Sequence, residues 1–83
     1  HWIEAERLLK QAIQQRPNDV DARLLLATLL RRMDRLPESR RELQNLEKTA
    51  GAEKWSLEIF RERELLERDA EEQDETAANT QAA

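Results

Sequence analysis

The chain of 83 residues is predicted to be all-α, and three observations lead to this prediction. Its abundant residues include Leu, Ala, Glu, Arg and Gln, which are strong helix formers because their side chains lose little freedom in a helix. One glycine, two prolines and no tyrosine leave few residues suited to a sheet with tight turns. Apolar residues recur at intervals of three and four, which is the spacing of a single helix face.

The first two helices are separated by a stop signal and a start signal. Apolar spacing predicts a helix from Trp2 to about Gln15, and Pro17 ends it because proline lacks an amide hydrogen. Asn18 and Asp19 then offer side-chain oxygens to the free amide groups of the next helix. The second helix is predicted from about Val20 to Met33. It is apolar on nearly every side in its middle, so we expect it to lie buried between neighbours.

Two further helices are predicted after this pair. The third begins around Pro37, which is tolerated in the first turn of a helix, and ends near Thr49. Gly51 is placed to cap it in a left-handed conformation. The fourth helix is predicted from near Glu53 to about Ala70, with most of its apolar residues in the first two turns.

The charge is distributed unevenly along the chain. Residues 1–50 hold ten Lys/Arg and eight Asp/Glu, a balance of +2, whereas residues 51–83 hold four and ten, a balance of −6. Residues 71–83 are acidic and have little to bury, so we predict one helical domain over residues 1–70 and an acidic disordered tail over residues 71–83. We expect no nucleic acid as a partner, because a phosphate backbone repels an acidic face.

The chain partly matches itself when it is shifted by 34 residues. The helix breakers coincide, since Pro17 lands on Gly51, and so do most positions that we expect to be buried. The other matched pairs are Trp2 with Leu36, Glu4 with Glu38, Ala5 with Ser39, Arg7 with Arg41, Leu9 with Leu43, Leu25 with Ile59 and Leu26 with Phe60. A unit of 34 residues with two antiparallel helices is a known solenoid period.

A second signal agrees with that period. The motif begins with a small residue, Ala5, and has a large residue, Leu9, four positions later. A proline, Pro17, then follows. With this pattern the chain resembles the tetratricopeptide repeat (TPR) family over about residues 2–60. The resemblance implies antiparallel helix pairs in a TPR-like solenoid fragment, with one and a half repeats and a terminal helix. The packing positions that it implies are Ala22, Leu26, Ala27, Leu30, Ser39, Leu43 and Leu46.

The resemblance also implies a function, which is protein–protein interaction. The first helices of successive TPR units line a concave groove that binds a peptide or a partner protein. The groove residues implied here are Asp21, Leu24, Thr28, Arg31 and Arg32. An apolar side chain beside arginines suits an extended, acidic peptide with a hydrophobic anchor. Since charged side chains are rarely buried, we expect both arginines to be exposed and free to bind.

Two alternatives to peptide binding remain open. The chain is expected to be a C-terminal fragment, so it fits a structural cap of a longer solenoid that binds no ligand of its own. Arg61, Glu64 and Arg68 would then form the polar outer face that a terminal helix requires. The other alternative is a weak homodimer, formed through apolar surface that a missing helix leaves open on the first helix.

Catalytic and metal-binding functions are not supported by the residue inventory. There is no cysteine, and His1 is the sole histidine, so neither a thiolate metal site nor a Ser–His–Asp arrangement can be assembled. Gly51 is the sole glycine, so no glycine-rich loop exists to hold a phosphate. We therefore predict a non-enzyme without cofactor or metal. No apolar run approaches a membrane span, and the lack of cysteine favours the cytoplasm.

Five arginines flank the turn between the second and third helices. They are Arg31, Arg32, Arg35, Arg40 and Arg41. They fit either an anion-binding patch or ordinary helix-end charges paired with Asp34, Glu38 and Glu42, and we favour the second interpretation. Of the two tryptophans, Trp55 is expected to pack in the core and Trp2 to be partly exposed.

Overall fold

The structure is a computed structural model that describes the backbone of residues 1–82 and the side chains of residues 1–77. It contains four α-helices and one 3-10 turn in the described residues, and no strand. The helices are α1 (Trp2–Gln15), α2 (Val20–Arg32), α3 (Leu36–Glu47) and α4 (Ser56–Ala82), and the 3-10 turn is Ala52–Trp55. The all-α prediction is confirmed, and the bounds of the first three helices agree with it to within two residues.

Local signals explain where the helices begin and end. The Asp19 carboxylate caps α2 by accepting a hydrogen bond from the Ala22 amide at 3.0 Å. Asp34 follows α2 with φ 61°, the left-handed conformation that glycine usually takes at a helix end. The next amide, that of Arg35, bonds back to the Leu30 carbonyl at 2.9 Å and completes a Schellman motif. Gly51 takes the predicted left-handed conformation, with φ 88°, but it does not cap α3: Lys48 is the C-cap of α3, and Gly51 directly precedes the 3-10 turn.

α2 is the central helix, because α1, α3 and α4 all pack against it. The connections on either side of it are short, so its neighbours in sequence run antiparallel to it. It contacts α3 at Ala27, whose carbonyl accepts a hydrogen bond from the buried Ser39 hydroxyl at 2.7 Å. All seven packing positions implied by the TPR resemblance are buried, so the repeat register holds over α2 and α3.

α1 is less covered than α3, although the two helices occupy equivalent places in the repeat. Ser39, Leu43 and Leu46 of α3 are at most 1% exposed, whereas Ala5, Leu9 and Ala12 of α1 are half-buried. The most buried residue of α1 is Glu6, whose carboxylate contacts Arg35 and Lys10. One side of α1 is therefore open in this structure.

α4 is longer than the sequence analysis predicts. It continues through Ala82, twelve residues beyond the predicted end at Ala70. Glu, Gln and Ala favour a helix even without apolar contacts, and no proline or glycine interrupts this segment. The side chains of residues 71–77 are all exposed, and Ala83 lies outside the described residues. The disorder of residues 71–83 stays a prediction.

No helix in the described residues is both long enough and apolar enough to cross a bilayer.

Candidate protein-interaction surface

Four side chains form a single exposed strip along α2. Asp21, Leu25, Thr28 and Arg32 are spaced by four, three and four residues, which places them in one line on a helix. Three of the four are exposed and Thr28 is half-buried. We call this set the α2 strip. It contains three of the five groove residues implied by the TPR resemblance, namely Asp21, Thr28 and Arg32.

The expectation that Arg31 is exposed in the groove is wrong. Its side chain is 9% exposed and lies between α2 and α4. The Arg31 Nε donates to Glu62 Oε1 at 2.7 Å, and Nη1 donates to Asp69 Oδ2 at 3.0 Å. Burial opposes the charge of the guanidinium, but the two carboxylates outweigh that effect and raise the pKa of Arg31. Arg31 therefore fixes α4 against α2 and is not available to a ligand.

Leu24 also turns away from the α2 strip. It is half-buried and packs against the hydrophobic core together with Trp55. Leu25, which is 52% exposed, is the apolar residue of the α2 strip instead. Leu25 was not predicted as a surface residue, because Leu24 and Leu25 both lie on an apolar helix and the sequence pattern does not distinguish them. Trp55 contacts the core as expected, and Trp2 is 46% exposed.

Three of the five arginines that flank the turn between α2 and α3 pair with carboxylates within the chain. Arg35 donates to Glu6 and Glu38, and Arg40 pairs with Glu67 at 3.2 Å, in addition to the Arg31 contacts. Among the described side chains, Arg32 and Arg41 are exposed and make no ion pair. The favoured interpretation as paired helix-end charges thus fits three arginines, although of the three predicted partners only Glu38 pairs with them. Glu42 pairs instead with Arg23, and Asp34 pairs with none of the described arginines.

The Glu6–Arg35 pair joins α1 to the beginning of α3. Arg35 Nη1 lies 2.5 Å from Glu6 Oε1, and Lys10 Nζ lies 2.8 Å from Glu6 Oε2. The hydrogen bond from Arg35, and then that from Lys10, lowers the pKa of Glu6 to about 2. Arg35 also lowers the pKa of Glu38. These carboxylates are occupied by structural contacts, so they are poor candidates for acid–base chemistry.

The α2 strip offers three kinds of contact to a partner. Leu25 presents an exposed apolar side chain and Thr28 a hydroxyl. Arg32 presents a guanidinium that makes no ion pair with a described side chain and can hold a carboxylate in two hydrogen bonds. The strip is about three helical turns long, so it suits an extended chain more than a compact molecule.

A shallow depression of about 620 Å³ lies elsewhere, between α1, α2 and α3. Charged and amide side chains dominate its lining, which comprises Arg7, Lys10, Gln11, Ile13, Gln14, Arg23, Leu26 and Glu42. Small-molecule pockets are mostly apolar with few polar groups, so this lining does not suit such a ligand.

Comparison with known families agrees with the repeat register. The model of the tetratricopeptide repeat family matches residues 2–56. Neither a curated protein nor a solved structure matches the chain. The matched segment begins with α1, includes α2, α3 and the 3-10 turn, and stops at the first residue of α4. The half repeat, the whole repeat and the match over more than half of the residues together show that the chain belongs to the tetratricopeptide repeat family.

Proposed function

We propose that the chain is a non-catalytic protein-interaction module whose α2 strip binds an extended, acidic peptide segment of a partner protein. The observation that carries this proposal is the contrast between two adjacent arginines. Arg31 is buried against two carboxylates of α4, whereas Arg32 is exposed and unpaired among the described side chains. The Arg32 guanidinium lies one helix turn from Thr28 and two from Leu25, so it suits a carboxylate next to an apolar side chain.

Family membership supports the general class of this function. Helical repeats present extended surfaces to other proteins, and α2 is the first helix of the complete repeat unit in this chain. Burial supports the choice of residues, because Leu25 and Arg32 can be contacted without unfolding any part of the domain.

The proposal is tested with a peptide selected from a random library on the immobilised chain. Its affinity is then measured by fluorescence anisotropy for the parent chain and for the variants Leu25→Ala and Arg32→Ala. We expect each variant to weaken binding by roughly tenfold, as for residues at the centre of an interface. Arg32→Ala should also reduce the salt dependence of the affinity.

Arg41→Ala is the matched control, since Arg41 is also exposed and unpaired in the described residues but lies on α3. An equal loss for Arg41→Ala, or a library that yields no binder, contradicts the proposal. The second result makes a structural cap without a ligand the better account of this chain.

A further inference from the structure

Two exposed apolar surfaces lie outside the α2 strip, on the first and last helices. Leu8 of α1 is 52% exposed, and Leu57 and Phe60 of α4 are 73% and 61% exposed. Large apolar side chains grouped on a helix face are a mark of a contact surface. The proposed peptide surface uses none of these three residues.

The internal repeat shows what residues in these positions meet elsewhere in the chain. A shift of 34 residues places Leu57 on Arg23 of α2 and Leu8 on Glu42 of α3. Arg23 and Glu42 form an ion pair between the two helices, with Nη1 3.6 Å from Oε1. Leu8 and Leu57 thus occupy the two positions that face each other when helices of this register pack.

The neighbouring positions also correspond. Phe60 occupies the place of Leu26, which is 3% exposed, and Ala12 occupies the place of Leu46, which is 0% exposed. Leu9 likewise occupies the place of the buried Leu43. The positions equivalent to Phe60, Leu9 and Ala12 are therefore all buried in the complete repeat.

We propose that the chain associates head to tail with a second copy of itself, the outer face of α4 in one copy packing antiparallel against the open face of α1 in the next. The α2–α3 pair is the template for this contact. The outer face of α4 comprises Leu57, Phe60, Arg61 and Glu64, and the open face of α1 comprises Ala5, Leu8, Leu9 and Ala12.

The template also indicates where the two charges on the outer face of α4 lie in this arrangement. Arg61 occupies the place of Ala27, which in the template lies against Ser39, the equivalent of Ala5. The small Ala5 side chain leaves room there for the longer Arg61. Glu4, the residue before Ala5, is exposed and already pairs with Arg7 within α1. Glu64 occupies the place of Leu30, next to the beginning of the antiparallel helix. α1 has no side-chain cap there, and its dipole favours a carboxylate.

The contact is heterologous, since the two faces differ. After the first contact one copy still has a free α1 face and the other a free α4 face, so assembly does not stop at a dimer. Arg61 is also bulkier than Ala27 and keeps the helices further apart than α2 and α3. We therefore expect weak association that becomes visible only at high concentration, with species larger than a dimer.

Sedimentation equilibrium of the full chain from micromolar to millimolar concentration tests this proposal. The average mass of the parent chain should rise past that of a dimer. Leu8→Glu and the double variant Leu57→Glu, Phe60→Glu should each weaken association by roughly tenfold or more, as for residues at the centre of an interface. Ile3→Glu is the control, because Ile3 is 80% exposed on α1 but about 140° around the helix from Leu8. It should leave the mass unchanged.

Two further experiments separate this geometry from other contacts. An equimolar mixture of Leu8→Glu and the α4 double variant should form a dimer that does not grow further. The first variant keeps an intact α4 face and the second an intact α1 face, so one contact can form. A chain carrying both Leu8→Glu and Leu57→Arg recreates the Arg23–Glu42 pair and should regain association in a salt-sensitive way. Circular dichroism checks that all variants fold.

Three results overturn the proposal. A parent chain that stays monomeric throughout makes the outer face of α4 a solvent-facing cap. Association that survives both Leu8→Glu and the α4 double variant shows that other faces meet. An equal loss in Ile3→Glu shows non-specific apolar contact.

Discussion

The Arg31 guanidinium of α2 lies 2.7 Å from the Glu62 carboxylate of α4 and is almost fully buried with it. Asp69, two helical turns further along α4, accepts a second hydrogen bond from the same guanidinium. The fourth helix also packs Ile59, Leu66 and Ala70 against the core. Arg31 adds charge-assisted hydrogen bonds to two points of α4 that are two turns apart.

Replacing Arg31 with alanine should destabilise the domain by about 3 kcal/mol, because it leaves the buried Glu62 carboxylate without its partner. Urea unfolding followed by circular dichroism measures the change. Arg32→Ala is the control at the next position, where only an exposed helix-end charge is lost, and it should cost less than about 1 kcal/mol. Equal effects of the two substitutions would show that Arg31 is not a structural contact.

Acid should remove the contribution of Glu6 to stability. Its pKa is lowered from 4.5 to about 2 in the folded chain, chiefly by Arg35. A carboxyl group with a lowered pKa stabilises the fold above its unfolded value, and this stabilisation is lost as the pH falls from about 4.5 to about 2. Glu6→Gln should therefore be less stable than the parent at neutral pH, and the difference should disappear towards pH 2.

Urea unfolding at a series of pH values measures the Glu6 effect. Glu4→Gln is the control, because Glu4 lies on the same helix and pairs with Arg7 at an exposed site. Glu38 contributes to acid sensitivity in the parent and in both variants, since Arg35 lowers its pKa as well. A constant difference between Glu6→Gln and the parent at all pH values would rule out the Glu6–Arg35 pair as its source.

Leu26→Ala should bring the domain close to unfolding. Leu26 is 3% exposed in α2, and truncating a buried leucine costs about 2–5 kcal/mol. Leu25→Ala, at the adjacent and half-exposed position, should cost less than about 1 kcal/mol. Thermal unfolding compares the two variants. Comparable melting temperatures would place the repeat register in doubt.

The acidic segment of residues 71–83 should exchange its amide hydrogens rapidly in solution. Its described side chains, through Ala77, are exposed, and ordering the backbone costs roughly 1–2 kcal/mol per residue without apolar burial to offset it. Removing residues 71–83 should leave the melting temperature within a few degrees of the parent. Slow exchange over this segment, or a large loss of stability on truncation, would show that the helical form of α4 persists there.

Local signals allowed the first three helices to be predicted from the sequence, whereas tertiary contacts decided the rest. Pro17, Asp19 and Gly51 act within a few residues of a helix end, so their effects follow from the sequence. The burial of Arg31 depends on carboxylates that lie 31 and 38 residues away in the sequence. The pattern of α2 alone gave no reason to bury one arginine and expose the next.

The length of α4 was not predicted from the sequence for a different reason. The loss of apolar residues after Leu66 predicted an early end, but the residues that follow favour a helix and contain no breaker. Leu24 and Leu25 were similarly ambiguous, since adjacent leucines on an apolar helix are told apart only when the position of α4 is known.

Amide chemical-shift mapping tests the central claim, that α2 presents a peptide-binding strip, most directly. A ¹⁵N-labelled chain, kept dilute enough to be monomeric, is titrated with the selected acidic peptide. We expect the largest perturbations at Leu25, Thr28 and Arg32, with little change along α3 between Arg40 and Glu47. Perturbations centred on α3, or on the outer face of α4, would contradict the assignment of the α2 strip as the binding surface.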